Sequence, residues 1–325
     1  MLDPIGFVVL GLLLLAAGGE ALVRAATTLA AIAGVSPAVI GLTVVAAGTS
    51  VPELVVSVMA AIGGQPDIAI GNVIGSNIFN IAAAVGVTAM VFPLPVHGNA
   101  VRREWPVMFL TSVACLVAAS DGVVGRADGV AAVLALIAFI AYTVRIARRD
   151  ITTTESRELG EHVEDRDIDA RRSREPMRLL VSIGVLVIGI LALVAGGKLL
   201  VEGAVALARL AGMTERQIAL TIVAGGTGAP ELATSLVAAF RRRTDVAVAN
   251  MIGSNIFNIL GILGIAAVVT PIPVSPGIVR SDAWWMIGTA LLVLPMLVTH
   301  RRISRPEGAL LTATYVAYVV MLLRG

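Results

Sequence analysis

Cysteine occurs once in 325 residues, at Cys115, so the chain can build neither an internal disulfide nor a thiolate metal cluster. Histidine occurs three times, at His97, His162 and His300, each in a segment that reads as loop. A zinc or copper centre therefore lacks its usual ligands. Charge is scarce as well: 14% of residues are Asp, Glu, Lys or Arg, against about 25% in a soluble domain. Aromatic residues make up 4%. These shortages exclude a soluble enzyme, a disordered chain and a nucleic-acid-binding protein, all of which need polar or charged surface. What remains is apolar: 57% hydrophobic residues and a mean hydropathy of +0.92. The 33 glycines suit helices that pack backbone to backbone in lipid.

A membrane span takes about 20 mostly apolar residues. The sequence offers ten such stretches, at 5–23, 37–62, 68–92, 104–120, 128–147, 179–200, 215–240, 245–270, 282–299 and 307–323. The first follows Asp3 with no basic residue before it, which argues against a cleaved signal peptide. With the N-terminus outside, 18 of the 24 basic residues fall on the cytoplasmic side, the orientation that the excess of cytoplasmic Lys and Arg favours. The expected location is the cytoplasmic (inner) membrane. Residues 150–177 carry nine acidic and five basic side chains and almost nothing apolar. They lack the ligand spacing of a calcium-binding EF-hand loop and read as a solvated cytoplasmic linker.

The chain repeats itself. Residues 43–81 and 221–259 align without a gap at an offset of 178, with 22 of 39 positions identical. The expected organisation is a first five-helix unit at 1–149, the linker at 150–177, and a second five-helix unit at 178–325. An odd number of spans turns the second unit upside down. The hairpin loops agree, since GGQP at 63–66 is uncharged and RRRT at 241–244 carries three arginines. The expected fold is an all-α membrane protein of ten helices, built as two inverted-topology repeats with discontinuous helices at the centre, a plan that places a binding site near the bilayer midplane.

Each repeat interrupts a span with Gly-Thr-(Ser/Gly)-x-Pro-Glu: Gly48, Thr49, Ser50, Pro52, Glu53, then Gly226, Thr227, Gly228, Pro230, Glu231. Proline removes a backbone donor and clashes with the preceding turn, freeing carbonyls. Helical spacing puts Thr49, Glu53 and Ser57 on one face, and Asn72, Ser76 and Asn80 on one face of the next span. The second repeat supplies Thr227, Glu231 and Ser235, then Asn250, Ser254 and Asn258. An ionised carboxylate at the bilayer centre costs at least about 2–3.5 kcal/mol, so two at duplicated positions mark a functional site. Oxygen ligands without imidazole or thiolate suit a hard cation such as Ca2+, and Na+ can use the same oxygens.

The two segments, GTSVPEL…GNVIGSNIFNI and GTGAPEL…ANMIGSNIFNI, resemble the alpha repeats of the calcium/cation antiporter superfamily, in its prokaryotic sodium/calcium exchanger-like branch. The resemblance implies transport of Ca2+ one way and Na+ the other by alternating access, with no enzymatic activity, no resident cofactor and no implied oligomer. It places Glu53 and Glu231 at the centre on Ca2+ or Na+, with Asn80 and Asn258 beside them. Thr49, Ser50, Ser76 and the Ala46 carbonyl would complete sites toward one side. Thr227, Ser254 and the Ala224 carbonyl would do so toward the other.

Three positions depart from the family pattern. Gly228 stands where Ser is usual, Ala249 where Gly is usual, and Asn258 where several relatives, including potassium-dependent exchangers, carry Asp. A neutral Asn258 leaves the site at charge −2 and implies transport without K+. Two other transport readings use the same residues: a H+-coupled Ca2+ antiporter, whose relatives usually show Gly-Asn-x-x-Glu here, and a passive cation channel. An intramembrane hydrolase with Ser50 as nucleophile has no His or Lys base in the cluster.

Overall fold

The computed structural model describes residues 4–33, 35–96, 100–158, 175–212, 224–299 and 301–324. The three histidines, most of the linker and the first part of the seventh apolar stretch (215–223) lie outside these residues. Helix covers the described part of all ten apolar stretches except the breaks at Ser50 and Gly228 and one end residue in three of them, Phe92, Ser120 and Thr270. We number the helices α1 (Pro4–Ala33), α2 (Ala38–Thr49), α3 (Val51–Ile62), α4 (Pro66–Val91), α5 (Trp105–Ala119) and α6 (Arg126–Glu158). After the linker come α7 (Glu175–Leu210), α8 (Ala224–Thr227), α9 (Ala229–Phe240), α10 (Thr244–Val269), α11 (Ile278–Thr299) and α12 (Arg305–Arg324).

Six of these are long and apolar enough to cross a membrane alone, and α2 with α3, bent by 45° at Ser50, makes a seventh if the pair is counted as one span. The bend follows from Pro52, which sits in the first turn of α3. Its ring displaces the carbonyl four residues earlier, while Ser50 N–H still donates to Ala46 O (3.1 Å) and Leu54 N–H to Ser50 O (3.1 Å), so the ladder resumes on both sides. Pro230 does the same at the start of α9.

Burial is inverted relative to a soluble protein. Leu13, Leu134, Ile188 and Leu191 lie on the outer faces of α1, α6 and α7, each about 60% exposed. By contrast, most residues of α4 and α10 are buried. An apolar perimeter around polar central helices is what a bilayer solvent requires, and the molecule is a multi-pass membrane protein.

The two halves interlock. Four two-residue strands, which the all-α expectation did not include, pair across them: β1 (Leu94–Pro95) with β4 (Arg302–Ile303), and β2 (Val123–Val124) with β3 (Ile272–Pro273). Each pair joins a strand of the first half to one of the second and ties off backbone at a helix end. Close glycine contacts add to this. A Cβ on Gly11 would meet Leu200 N at 2.7 Å and one on Gly18 would meet Gly189 O at 2.9 Å, so α1 and α7 lie backbone to backbone. Gly86 of α4 abuts Gly308 of α12, and Gly264 of α10 abuts Gly129 of α6, the same contact made twice. Glu20 of α1 pairs with Arg24 and with Arg241 beyond α9.

Candidate functional site

The broken helices bring both glutamates to the centre. Glu53 lies in the first turn of α3 and Glu231 in the first turn of α9. Helix N-termini carry partial positive charge, which offsets part of the cost of a buried carboxylate. Both residues are 1% exposed. They come from opposite halves yet are electrostatic neighbours. Ser50 joins them: its Oγ donates to Glu231 Oε1 at 3.0 Å, and the Thr49 hydroxyl also contacts the Glu231 carboxylate. One repeat's hydroxyls thus serve the other repeat's carboxylate.

Asn80 and Asn258 sit where the helices change pitch. A π-helical stretch runs from Phe79 to Val85 in α4 and another from Asn258 to Leu263 in α10. Such widened turns leave backbone and side chains turned inward and recur at functional sites. Both asparagines are 1% exposed. Neither Asn80 side-chain atom has a partner, and Asn258 Oδ1 has none. Glu53 Oε2, Glu231 Oε2 and Ser254 Oγ are also buried and unpartnered. An unpaired polar atom buried in apolar surroundings costs about 1–3 kcal/mol. Thr88, Thr234, Asn250 and Asn255 each carry a further unpartnered oxygen, and orphaned buried oxygens that include both glutamates suit a cation ligated by oxygen.

The other expected residues are placed as follows. Ser76 is buried in α4. The Ala46 carbonyl accepts from Ser50 N–H and from Thr49 Oγ1 (3.3 Å). Thr227 is half-buried, and Ala224 opens the short helix α8. Ser57, Asn72, Ser235 and Asn250 bond to each other instead of pointing at a common centre. Asn72 Nδ2 donates to Ser57 Oγ (2.9 Å) and to Glu53 O (3.1 Å), and Asn250 Nδ2 donates to Ser235 Oγ (3.3 Å). They clamp α3 to α4 and α9 to α10. Among the described residues no three His, Cys, Asp or Glu side chains converge on a metal position, so two carboxylates plus neutral oxygens are what the centre offers.

Sequence reasoning missed one pair. Asn258 Nδ2 donates to Asn77 Oδ1 at 3.1 Å, and Asn255 Nδ2 donates to Asn77 O at 3.3 Å. Asn77 and Asn255 are equivalent in the two repeats, and each amide also reaches a methionine of the opposite half, Met286 for Asn77 and Met108 for Asn255. The bond from Asn258 fixes its amide so that Oδ1 faces away from Asn77. The signal was available, since both residues lie in the duplicated GSNIFNI.

Comparisons with known proteins agree with this architecture. The sequence profile of the family described as "Sodium/calcium exchanger protein" matches residues 4–146 and 181–324. Inner membrane protein YrbG of Escherichia coli (strain K12) is 34% identical over 99% of this chain and 97% of its own. Sodium/calcium exchanger MaX1 of Methanosarcina acetivorans is 32% identical over 96% of each chain. A solved structure of the sodium-calcium exchanger NCX_Mj, soaked with 10 mM Na+ and zero Ca2+, superposes with a TM-score of 0.81 at 30% identity, covering 98% of both chains.

Proposed function

Because this chain belongs to the sodium/calcium exchanger protein family, we propose that it is a secondary antiporter that exchanges Ca2+ for Na+ across the cytoplasmic membrane by alternating access, without K+. In this reading ten spans form two inverted five-helix units, 1–149 and 178–325. The N-terminus lies outside and the 150–177 linker lies in the cytoplasm. The observation that carries the proposal is the pair of buried, repeat-related glutamates, Glu53 and Glu231, each with a carboxylate oxygen that has no partner.

Charge accounts for coupling. Two carboxylates at −2 are neutralised by one Ca2+ or by two Na+. Either load makes an occluded centre acceptable in a low-dielectric surround, whereas the empty ionised centre is costly to seal from water. The site therefore crosses between its outward and inward forms loaded, and leak is suppressed. Asn80 and Asn258 complete the central position. Thr49, Ser50, Ser76 and the Ala46 carbonyl serve one flank, and Thr227, Ser254 and the Ala224 carbonyl the other. The neutral Asn258 removes the third charge that would call for an additional monovalent cation.

The test uses purified protein in proteoliposomes loaded with Na+ and diluted into Na+-free buffer. Radiolabelled Ca2+ should accumulate, and accumulation should vanish in choline-loaded vesicles or with a Na+ ionophore. Uptake that ignores Na+ but follows a pH gradient would replace this reading with H+-coupled exchange. Uptake that needs no counter-gradient would make the protein a passive cation channel.

A further inference from the structure

Ser50 and Gly228 are equivalent in the repeat, but only Ser50 carries a hydroxyl. The backbone does not ask for glycine. Gly228 has φ −82° and ψ 3°, Ser50 has φ −84° and ψ 10°, and any L residue adopts those values. The obstacle is a side chain from the other half. A Cβ at position 228 would lie 2.5 Å from Phe79 Cε1 and 3.3 Å from Phe79 Cγ. The ring cannot retreat freely. Phe79 is buried, and Tyr315 of α12 braces it edge to face, with centroids 5.5 Å apart and planes at 81°. The two aromatics also lie 3.9 and 4.0 Å from a Cβ position on Gly225, so together they cover the break between α8 and α9.

The equivalent ring in the second half behaves differently. Phe257 lies over its own helix at Gly261, where a Cβ would come within 3.3 Å of Phe257 Cε2. The counterpart of Gly261 is Ala83, whose methyl occupies that space and leaves Phe79 to turn toward Gly228. In the last helix of each half the repeat runs as Arg126-Ala-Asp-Gly129 against Arg305-Pro-Glu-Gly308, so the counterpart of Tyr315 is Leu136, a buried aliphatic residue that would lie 3.1 Å from a Cβ on Gly261 and offers no ring to brace Phe257. Three departures from the repeat, at 83, 228 and 315, thus meet at one place.

We propose that Phe79, braced by Tyr315, is a specificity-determining wall that stands where the first repeat has a hydroxyl, so that the cation cluster holds one Na+ fewer on its second-repeat flank while the central position between Glu53 and Glu231 is kept. This rests on the exchange reading. A ring edge carries partial positive charge and offers no lone pair. A Na+ on that flank would lose an oxygen and gain nothing in return.

Four purified full-length chains test it: wild type, Gly228→Ser, Phe79→Ala, and the double variant. Gly228→Ser should lower the melting temperature by several degrees when Phe79 is present and by little in the Phe79→Ala background. In the double variant, the Na+ dependence of melting and of Ca2+ flux should steepen, with a Hill coefficient higher by up to one. Its Ca2+ half-saturation should move less than about threefold. Ala83→Gly with Gly228→Ser is the second route, because it gives the ring the place that Phe257 takes and should recover the melting temperature with the aromatic retained. A Gly228→Ser chain that melts like wild type overturns the steric pairing. A double variant with unchanged Na+ steepness overturns the wall's role in ion number. Wild-type protein with no Na+-driven Ca2+ flux would instead remove the exchange reading, and the melting series would still decide the pairing.

Discussion

Asn77 offers a quantitative test of how the centre is held. Its Oδ1 accepts from Asn258 Nδ2 at 3.1 Å, and both residues are at most 1% exposed. Asn77→Ala removes the acceptor and leaves a buried donor unpaired, at about 1–3 kcal/mol. The bond from Asn255 goes to the Asn77 main chain and survives the change. The loss is therefore confined to one bond, plus the weak contact with Met286. With the Asn258 amide free to turn, its Oδ1 no longer faces the cation. If about 1.4 kcal/mol of the loss appears in binding, Ca2+ affinity falls about tenfold. The assay is the Ca2+ concentration dependence of Na+-driven flux in a double-mutant cycle with Asn258→Ala. Each single variant should raise the half-saturating Ca2+, and the pair should be no worse than Asn258→Ala alone, since Asn77 acts through Asn258. Additive effects, or an Asn77→Ala chain with wild-type Ca2+ dependence, would refute the positioning role.

Other outcomes follow from the same geometry. Protons neutralise carboxylates as cations do, so the half-saturating Ca2+ should rise as pH falls from about 8 to about 5.5, with high Ca2+ restoring flux; a half-saturation independent of pH over that range contradicts a site built on Glu53 and Glu231. Replacing K+ by choline on both sides should leave Ca2+ flux unchanged, whereas strict dependence on K+ would sink the argument from Asn258. At the contact between α4 and α12, Gly86→Ala puts a methyl 2.9 Å from Gly308 O and should lower the melting temperature clearly. Gly288→Ala, where no described atom lies within 4 Å of the added carbon, should leave it unchanged or slightly higher.

The parts of this molecule that could be read from the sequence are those with a local physical signature. Glu53 and Glu231 are visible because an ionisable group in an apolar run is costly. The breaks are visible because Pro52 and Pro230 cannot continue a helix without displacing a carbonyl. Asn77 escaped because ideal helical spacing puts it about 100° from Ser76 and about 80° from the mean direction of Ser76 and Asn80, at the edge of their shared face. The π-helical stretch beginning at Phe79 shifts that phase, and the partner, Asn258, comes from the other half. Ser57 and Asn72 share the expected faces, but a face does not reveal whether two polar groups meet a ligand or each other. The contact of Phe79 with Gly228 and the cross-half strand pairs join residues far apart in the chain. No periodicity encodes them.

The most direct test of the central claim is Na+-driven Ca2+ uptake by Glu53→Gln and Glu231→Gln, each reconstituted at wild-type density. Glutamine keeps the shape and removes the charge, leaving one carboxylate to balance a divalent cation in a buried centre. Breaking a buried charge pairing costs about 3–5 kcal/mol, so each variant should lose flux by about two to three and a half orders of magnitude. Both should still insert and run as a single species in detergent. Near-normal uptake by either variant would contradict a single cation site shared between the two repeats.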